Sequence, residues 1–466
     1  MVRLLLLMVP LALLAGCTNE NPDFCKNFPG KEGCPGEPMN GGTCSFNTDC
    51  TGTGFPICDT SMNEGTCVLC TMADSHLCTG ATPVCTNEGK CTGCTKHADC
   101  TESNACMPDG SCASADNVAY VDGTNGLDSN PCTKSKPCTK IDKAATFKSI
   151  VKVSGTVADR CSLMSTNATI VADPEAKIAP QEGAPGANGI VFEVKGTSNI
   201  QVFDLQISNS LGGGSNNIAI SDTANLTLTR VTVRDGSANG ISVMGGRLTC
   251  SQCTITSNAS RGIDASMSGQ VTLERSTISQ NVSGGVRIAD DVSFQIVSNM
   301  FFHNGQSDKT AAGGLIIAVN PKKPGDPANQ LDFNTFSSNR SGPTPMTVQG
   351  ISCTVGTTMK VSNNVIWNNG DMGQSQVNTD GQCDWEYSDI GPTQPGVSLS
   401  NLILPPTFLN EAMGNLHLTS TSPLLGKADP AADLTGIVAK DFDGESRVAK
   451  PNMGADIGAD QYYPTP

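Results

Sequence analysis

The sequence predicts an all-β solenoid preceded by a small disulfide-rich repeat region. Two observations carry this. Between Asn188 and Gly370 seven stretches repeat one phrase: Asn188-Gly-Ile-Val-Phe192, Asn216-Asn-Ile-Ala-Ile220, Asn239-Gly-Ile-Ser-Val243, Arg261-Gly-Ile-Asp-Ala265, Gly284-Gly-Val-Arg-Ile288, Gly313-Gly-Leu-Ile-Ile317 and Gln349-Gly-Ile-Ser-Cys353. Gly240, Gly262 and Gly285 follow one another at steps of 22 and 23 residues, the period of a stacked repeat. Between Cys44 and Cys112, twelve cysteines fall into three groups of four.

The chain opens on Arg3, an apolar run and Leu13-Leu-Ala-Gly-Cys17. A short charged start, an apolar stretch and a small-residue exit predict a signal peptide over residues 1–16, too short to span a bilayer. Leu-Ala-Gly-Cys resembles the lipobox of bacterial lipoproteins. The resemblance implies cleavage before Cys17 and acylation of its thiol, with 17–43 as lipid anchor and tether. Each buried CH₂ of such an anchor contributes about 0.8 kcal/mol. Thr18 stands where an inner-membrane retention Asp would, which favours the outer membrane or cell surface.

The chain has 22 cysteines, and export at this density predicts disulfides. Cys25 and Cys34 stand apart. Residues 44–112 form the three repeats: Cys44, Cys50, Cys58, Cys67; then Cys70, Cys78, Cys85, Cys91; then Cys94, Cys100, Cys106, Cys112. Asp49-Cys50 recurs as Asp99-Cys100, and Gly-Thr-Cys67 as Gly-Lys-Cys91 and Gly-Ser-Cys112. Units of about 25 residues with few large apolar side chains cannot build a core and need covalent staples. Each bridge contributes about 2–4 kcal/mol. Four cysteines allow three pairings, and the sequence does not choose among them. Cys67-Val-Leu-Cys70 and Cys91-Thr-Gly-Cys94, with His76 and His97 nearby, have zinc-ligand spacing. They are joints between repeats in an oxidising compartment, so disulfides are expected instead. The segment serves as a stiff stalk or as a protein-binding module, and the stalk is the simpler expectation.

Within each solenoid unit apolar residues alternate, as in Ile241, Val243, Leu248, Cys250 and in Val271, Leu273, Ile278. This is the period of half-buried strands. Most units close on an Asn three places after an apolar residue: Ile255/Asn258, Ile278/Asn281, Phe301/Asn304, Phe336/Asn339 and Ile366/Asn369. Asn258, Asn281 and Asn339 also sit in glycosylation triplets, but their spacing is that of the repeat. A hydrogen-bonded ladder of stacked amides, with each Asn taking the left-handed bend, is therefore expected.

These features resemble the right-handed parallel β-helix of the pectin-lyase-like superfamily, over residues 118–463. Tyr120-Val-Asp-Gly-Thr-Asn-Gly-Leu-Asp-Ser-Asn-Pro131 and Lys136-Pro-Cys-Thr-Lys-Ile-Asp-Lys-Ala-Ala145 look like the opening segment and N-terminal cap, residues 118–147. A short amphipathic helix near 139–147 would cover the end of the core. The rungs occupy 148–400. Leu416-His-Leu-Thr-Ser-Thr-Ser-Pro-Leu-Leu425, Asp441-Phe-Asp-Gly-Glu-Ser-Arg447 and Asp456-Ile-Gly-Ala-Asp460 are similar to a bacterial surface group called choice-of-anchor Q, with 401–466 as its C-terminal cap. Cys353 and Cys383 fit a bridge across one rung, Cys132 and Cys138 close the opening loop, and Cys161 is the expected odd thiol.

Superfamily members that cleave polysaccharides do so on an exposed strand face with acidic residues, calcium and a Lys or Arg base. The outward columns here offer Asp264 and Arg287 in one register and Glu274 in another, the candidate acid and base group. Solvated surface charges are the plainer reading. Asp290-Asp291 and Asp441-x-Asp443 are isolated pairs, so calcium has no dedicated cluster and no metal or other cofactor is expected; the second pair suits a turn beside Gly444. The four histidines share no metal-ligand spacing, and His303 reads as a turn residue. Trp367, Trp385 and Tyr387 gather near the last rungs, as a small carbohydrate platform or as a seal on the core. Cys250-Ser-Gln-Cys253 lies in a strand, where nothing lowers a thiol pKa.

The net charge is −15, or −16 without Arg3, which argues against nucleic-acid binding. The expected function is a lipid-anchored bacterial surface protein that presents its β-helix for adhesion or for binding an extracellular polysaccharide, matrix or surface protein, without catalysis. The alternative is a polysaccharide lyase or glycoside hydrolase, since one fold hosts both.

Overall fold

The computed structural model describes residues 43–464, apart from 51–53, 62–64, 182–188, 307–311, 322–327, 343–347, 371–373, 393–397 and 450–452. The signal segment, Cys17, the tether up to residue 42, Cys25 and Cys34 lie outside the described residues. The chain divides into two units, the cysteine repeats and the solenoid with its C-terminal segment.

In the first unit each repeat pairs its first cysteine with its third and its second with its fourth. The bridges are Cys44–Cys58, Cys50–Cys67, Cys70–Cys85, Cys78–Cys91, Cys94–Cys106 and Cys100–Cys112. Interleaved bridges replace a core: Cys44, Cys50 and Cys67 are themselves the buried cluster of the first repeat. The recurrent Asp-Cys has a local cause. Asp49 Oδ2 accepts the Ser45 and Phe46 backbone N–H groups at 2.8 and 2.9 Å, closing the turn that delivers Cys50. Asp99 does the same with Thr95 and Lys96 ahead of Cys100. Those donors, Ser45 first, hold the Asp49 carboxyl below its ordinary value.

The second unit is a parallel β-helix. Its opening strand Val118–Asp122 pairs in parallel with Ile150–Ser154, and Cys132–Cys138 closes the intervening loop. The helix Ile141–Phe147 turns Ile141 and Ala144 inward, over the end of the core. From there each rung lays strands against the previous one in a 16-stranded and a 10-stranded sheet, with parallel pairing throughout. Long strands such as Ile241–Ser251 and Gly284–Val297 run through a corner and serve two faces. The inward columns are continuous. Val233, Ile255, Ile278, Phe301, Phe336, Ile366 and Ile390 stand in one register and are all fully buried. Phe301 and Phe336 stack with centroids 4.3 Å apart. Each such side chain removed from water contributes about 1.5–3 kcal/mol, and only stacking supplies the second wall.

The amide ladder forms. Asn258 Nδ2 donates to Asn281 Oδ1 (2.9 Å), Asn281 to Asn304 (2.9 Å), Asn304 to Asn339 (2.9 Å) and Asn339 to Asn369 (2.8 Å). All five residues are buried. A second ladder, absent from the sequence reading, lies at the preceding corner: Asn299 donates to Asn334 and Asn334 to Asn364, each at 3.0 Å. The left-handed bend is not at the ladder residues. It falls one residue earlier, at Ser257, Gln280, His303, Ser338 and Asn368, with φ between 53° and 57°. The bend brings the carbonyl before it onto the ladder amide: Asn258 Nδ2 donates to the Thr256 carbonyl at 3.1 Å and Asn339 Nδ2 to the Ser337 carbonyl at 3.2 Å. Exposed or half-buried residues therefore carry the strain, and buried ones the hydrogen bonds.

The C-terminal segment departs from a simple end cap. Leu402 pairs with Asp389 and extends the last rung. The chain then returns along the outside of the rungs. Val297, Phe333 and Val365, three outward apolar residues, join Leu418, Leu424, Val438 and Ile457 in a second core. Backbone bonds from Gly458 to Asn363 (2.9 Å) and from Ala459 to Thr335 Oγ1 (3.0 Å) fasten it.

Cys353–Cys383 and Cys250–Cys253 are disulfides. Cys161 is free and buried, and burial pushes its thiol well above the ordinary value, so it remains an unreactive thiol.

Candidate functional site

The outward face around residues 240–300 is where the sequence places its candidate chemistry. Ser242, Asp264 and Arg287 stand opposite one another on consecutive rungs, followed by Ile316. Parallel register at β spacing brings neighbouring side chains of a column within reach. Arg287 Nη1 donates to Asp264 Oδ1 at 3.0 Å. Glu274 does not join them. It lies on the next face, beyond the left-handed corner at Met267, and its ion-pair partner is Arg275 at 3.5 Å. Arg275 also donates to Ser251 Oγ at 3.0 Å. The nearby turn charges pair locally, Arg230 with Asp204 at 2.6 Å and Arg234 with Asp235 at 2.7 Å. The arrangement brings together one acid and one cation, and both are engaged.

The acidic pairs have structural employment. Asp290 Oδ2 accepts the Met267 N–H at 2.8 Å, and Asp291 Oδ1 accepts from Asn320 Nδ2 at 2.8 Å. Asp441 Oδ1 accepts the Glu445 N–H at 2.8 Å across the turn at Gly444, as its spacing implied. His303 sits exposed at its left-handed corner against Phe302.

The aromatic group does not form one platform. Trp385 is 4% exposed, lies in the β-helix core and donates from Nε1 to the Asn378 carbonyl at 3.0 Å. Trp367 packs under the C-terminal segment, so close to Gly391 that a Cβ there would lie 2.1 Å from its ring. Tyr387 occupies a left-handed corner, with Lys360 Nζ 5.7 Å from its ring centroid. Two of the three seal apolar surface and are not presented to a sugar.

The structure concentrates buried charge elsewhere, in the motifs Asp441–Arg447 and Asp456–Asp460. Arg447 is buried over the Phe333 ring, 4.3 Å from its centroid, and donates from Nη2 to Ser298 Oγ at 3.1 Å and to the Gly458 carbonyl at 3.0 Å. Burial pushes its guanidinium down to about 10, against the attraction of Asp441, Asp332, Asp460 and Asp456. This cation ties the returning segment to the rungs. Arg447→Ala is expected to cost about 3 kcal/mol and to open residues beyond 408 to limited proteolysis. Unchanged cleavage and an unchanged urea midpoint would count against that role.

Residues 188–389 match the family model described as a right handed beta helix region, and the chain has that right-handed parallel β-helix fold. No curated protein sequence matches the chain at a significant level. Among solved structures, the crystal structure of pectate lyase Pel9A is similar, with 14% sequence identity, 73% of this chain and 95% of that chain covered, and a TM-score of 0.40.

Proposed function

We propose that this chain is a lipid-anchored bacterial surface protein of the pectin-lyase-like, choice-of-anchor Q type. It presents the β-helix for adhesion, or for binding a glycan or matrix, and performs no chemistry on what it binds. One observation supports this reading above the others: the charged side chains best placed on the sheet face are engaged with each other, Arg287 with Asp264 and Glu274 with Arg275. A lyase or hydrolase needs an acid and a base free to exchange protons with substrate. Acylated Cys17 holds the chain on the outer membrane, and the cysteine repeats act as a stalk.

The test is a polysaccharide-depolymerisation screen, with and without calcium, on wild type and Arg287→Ala, run beside a binding assay on the same polysaccharides. Retention on a polysaccharide without chain cleavage is expected. Cleavage by wild type that disappears in Arg287→Ala would overturn the reading in favour of the lyase or hydrolase. Anchoring has its own measurement. Cys17→Ser should release the protein from membranes, and continued pelleting would refute the anchor.

A further inference from the structure

The C-terminal segment gathers one constellation that no sequence motif announces. His417 lies on the strand Asn415–Leu418, Asp443 in the turn after Asp441, and Asp460 in the stretch that closes on Thr335 and Leu418. Three segments far apart in sequence meet there. His417 Nε2 is 3.1 Å from Asp443 Oδ2. One donor atom from each of the three residues lies within 4.8 Å of the other two.

The histidine is oriented from behind. Asn415 Oδ1 accepts the backbone N–H of His417 at 3.3 Å, which identifies that atom as the oxygen. The same oxygen lies 2.6 Å from His417 Nδ1, so Nδ1 carries the proton. Nε2 is thereby turned to the carboxylates, where a metal ion would displace whatever proton it shares with Asp443, the orientation by which outer-shell groups position metal-binding imidazoles. Phe442 holds the ring edge-on, with centroids 5.5 Å apart.

Asp460 supplies the second observation. It is only 5% exposed, and its Oδ2 accepts the Leu418 N–H at 2.8 Å. Its other oxygen has no hydrogen bond among the described residues, and the residue borders a cavity of about 530 Å³. Glu445 and Tyr463 line the same cavity. An ordinary His–Asp ion pair on the surface would account for Asp443, but it leaves the second oxygen of the buried Asp460 beside it without a bond.

We propose that His417, Asp443 and Asp460 form a binding site for a divalent transition-metal ion. One imidazole nitrogen and two carboxylate oxygens make a mixed donor set suited to zinc or manganese rather than to the all-oxygen shells of calcium. The cavity leaves room for water to complete the coordination. An ion held there fastens the strand, the Asp441–Arg447 turn and the C-terminal stretch to one another.

The probe is Zn²⁺, titrated by calorimetry into the mature chain with disulfides intact and no affinity tag. Co²⁺ is followed in parallel by its visible absorption. One equivalent is expected to bind with a rise in melting temperature, because the ion favours the folded state. His417→Gln and Asp443→Asn should each weaken binding by about 10–100-fold or more. The Asp443 side chain is 50% exposed, so Asp443→Asn keeps the test valid if His417→Gln misfolds. No heat and no cobalt spectrum at about 100-fold excess of metal over protein would overturn the proposal. Binding that both variants leave unchanged would overturn it equally.

Discussion

Asn304→Ala is expected to lower the unfolding free energy by about 5 kcal/mol, measured by urea denaturation. Asn304 Nδ2 donates to the Ile278 carbonyl at 2.7 Å and to Asn339 Oδ1 at 2.9 Å. Its Oδ1 accepts the Asn281 backbone N–H at 3.3 Å and Asn281 Nδ2 at 2.9 Å. All of these partners sit away from water, since Asn281, Asn304, Asn339 and Ile278 are fully buried. A methyl group in place of the amide leaves two donors and two acceptors short of a partner. Asn281 Nδ2 keeps the Ile255 carbonyl and Asn339 Oδ1 keeps the residue-304 N–H, but each buried bond lost costs about 1–3 kcal/mol, part of which relaxation recovers. His303→Asn, one residue earlier, is the matched control. That position is exposed with φ of 53°, a conformation Asn adopts readily, so the stability change should be near zero or slightly favourable. A loss below about 1 kcal/mol in Asn304→Ala would mean that the column is not a cooperative ladder.

The ladder also shows where the sequence was legible. Residues that share a rung position must repeat at the rung period, so Ile278/Asn281 and Phe301/Asn304 announced both an inward column and the amides beside it. The second column was available by the same rule. Ser276, Asn299, Asn334 and Asn364 each precede a member of the first column by five residues, but Ser at one of these positions weakened the pattern. The bend was misassigned because Asn is the non-glycine residue most tolerant of left-handed backbone, whereas here the tertiary stack claims its amide and leaves the bend to its neighbour.

The candidate site was legible as a column and not as a site. Register alone predicts that Asp264 and Arg287 touch. It cannot say that the corner at Met267 turns Glu274 onto another face. The C-terminal segment was the least legible part. Its position depends on contacts between Arg447 and Ser298 or Phe333, which no local period encodes. One trace was present: Val297, Phe333 and Val365 are apolar at outward positions, and only a covering segment makes that favourable.

A second large effect is tied to pH. Asp389→Asn is expected to stabilise the protein at pH 8 by on the order of 4 kcal/mol and to leave it nearly unchanged at pH 4. Asp389 is fully buried at the last rung. Its Oδ1 accepts the Leu404 N–H at 2.8 Å, while Oδ2 has no hydrogen-bond partner among the described residues. Burial is the main cause that pushes its carboxyl up to about 7, opposed by the Leu404 bond. The unfolded value is 3.8, so between these limits the folded chain binds more protons than the unfolded one, and stability falls as pH rises. The carboxyl's favourable contribution is complete below 3.8 and is lost as pH climbs through about 7. Asp332, raised to about 6 chiefly by burial, adds to the same slope. The asparagine amide is neutral throughout and keeps an acceptor for Leu404, so the variant should lack the Asp389 part of the decline. Urea midpoints at pH 4, 6 and 8 for both proteins measure this directly. A difference that stays constant across that range would show that Asp389 does not titrate with folding, and that its unpartnered oxygen reaches water.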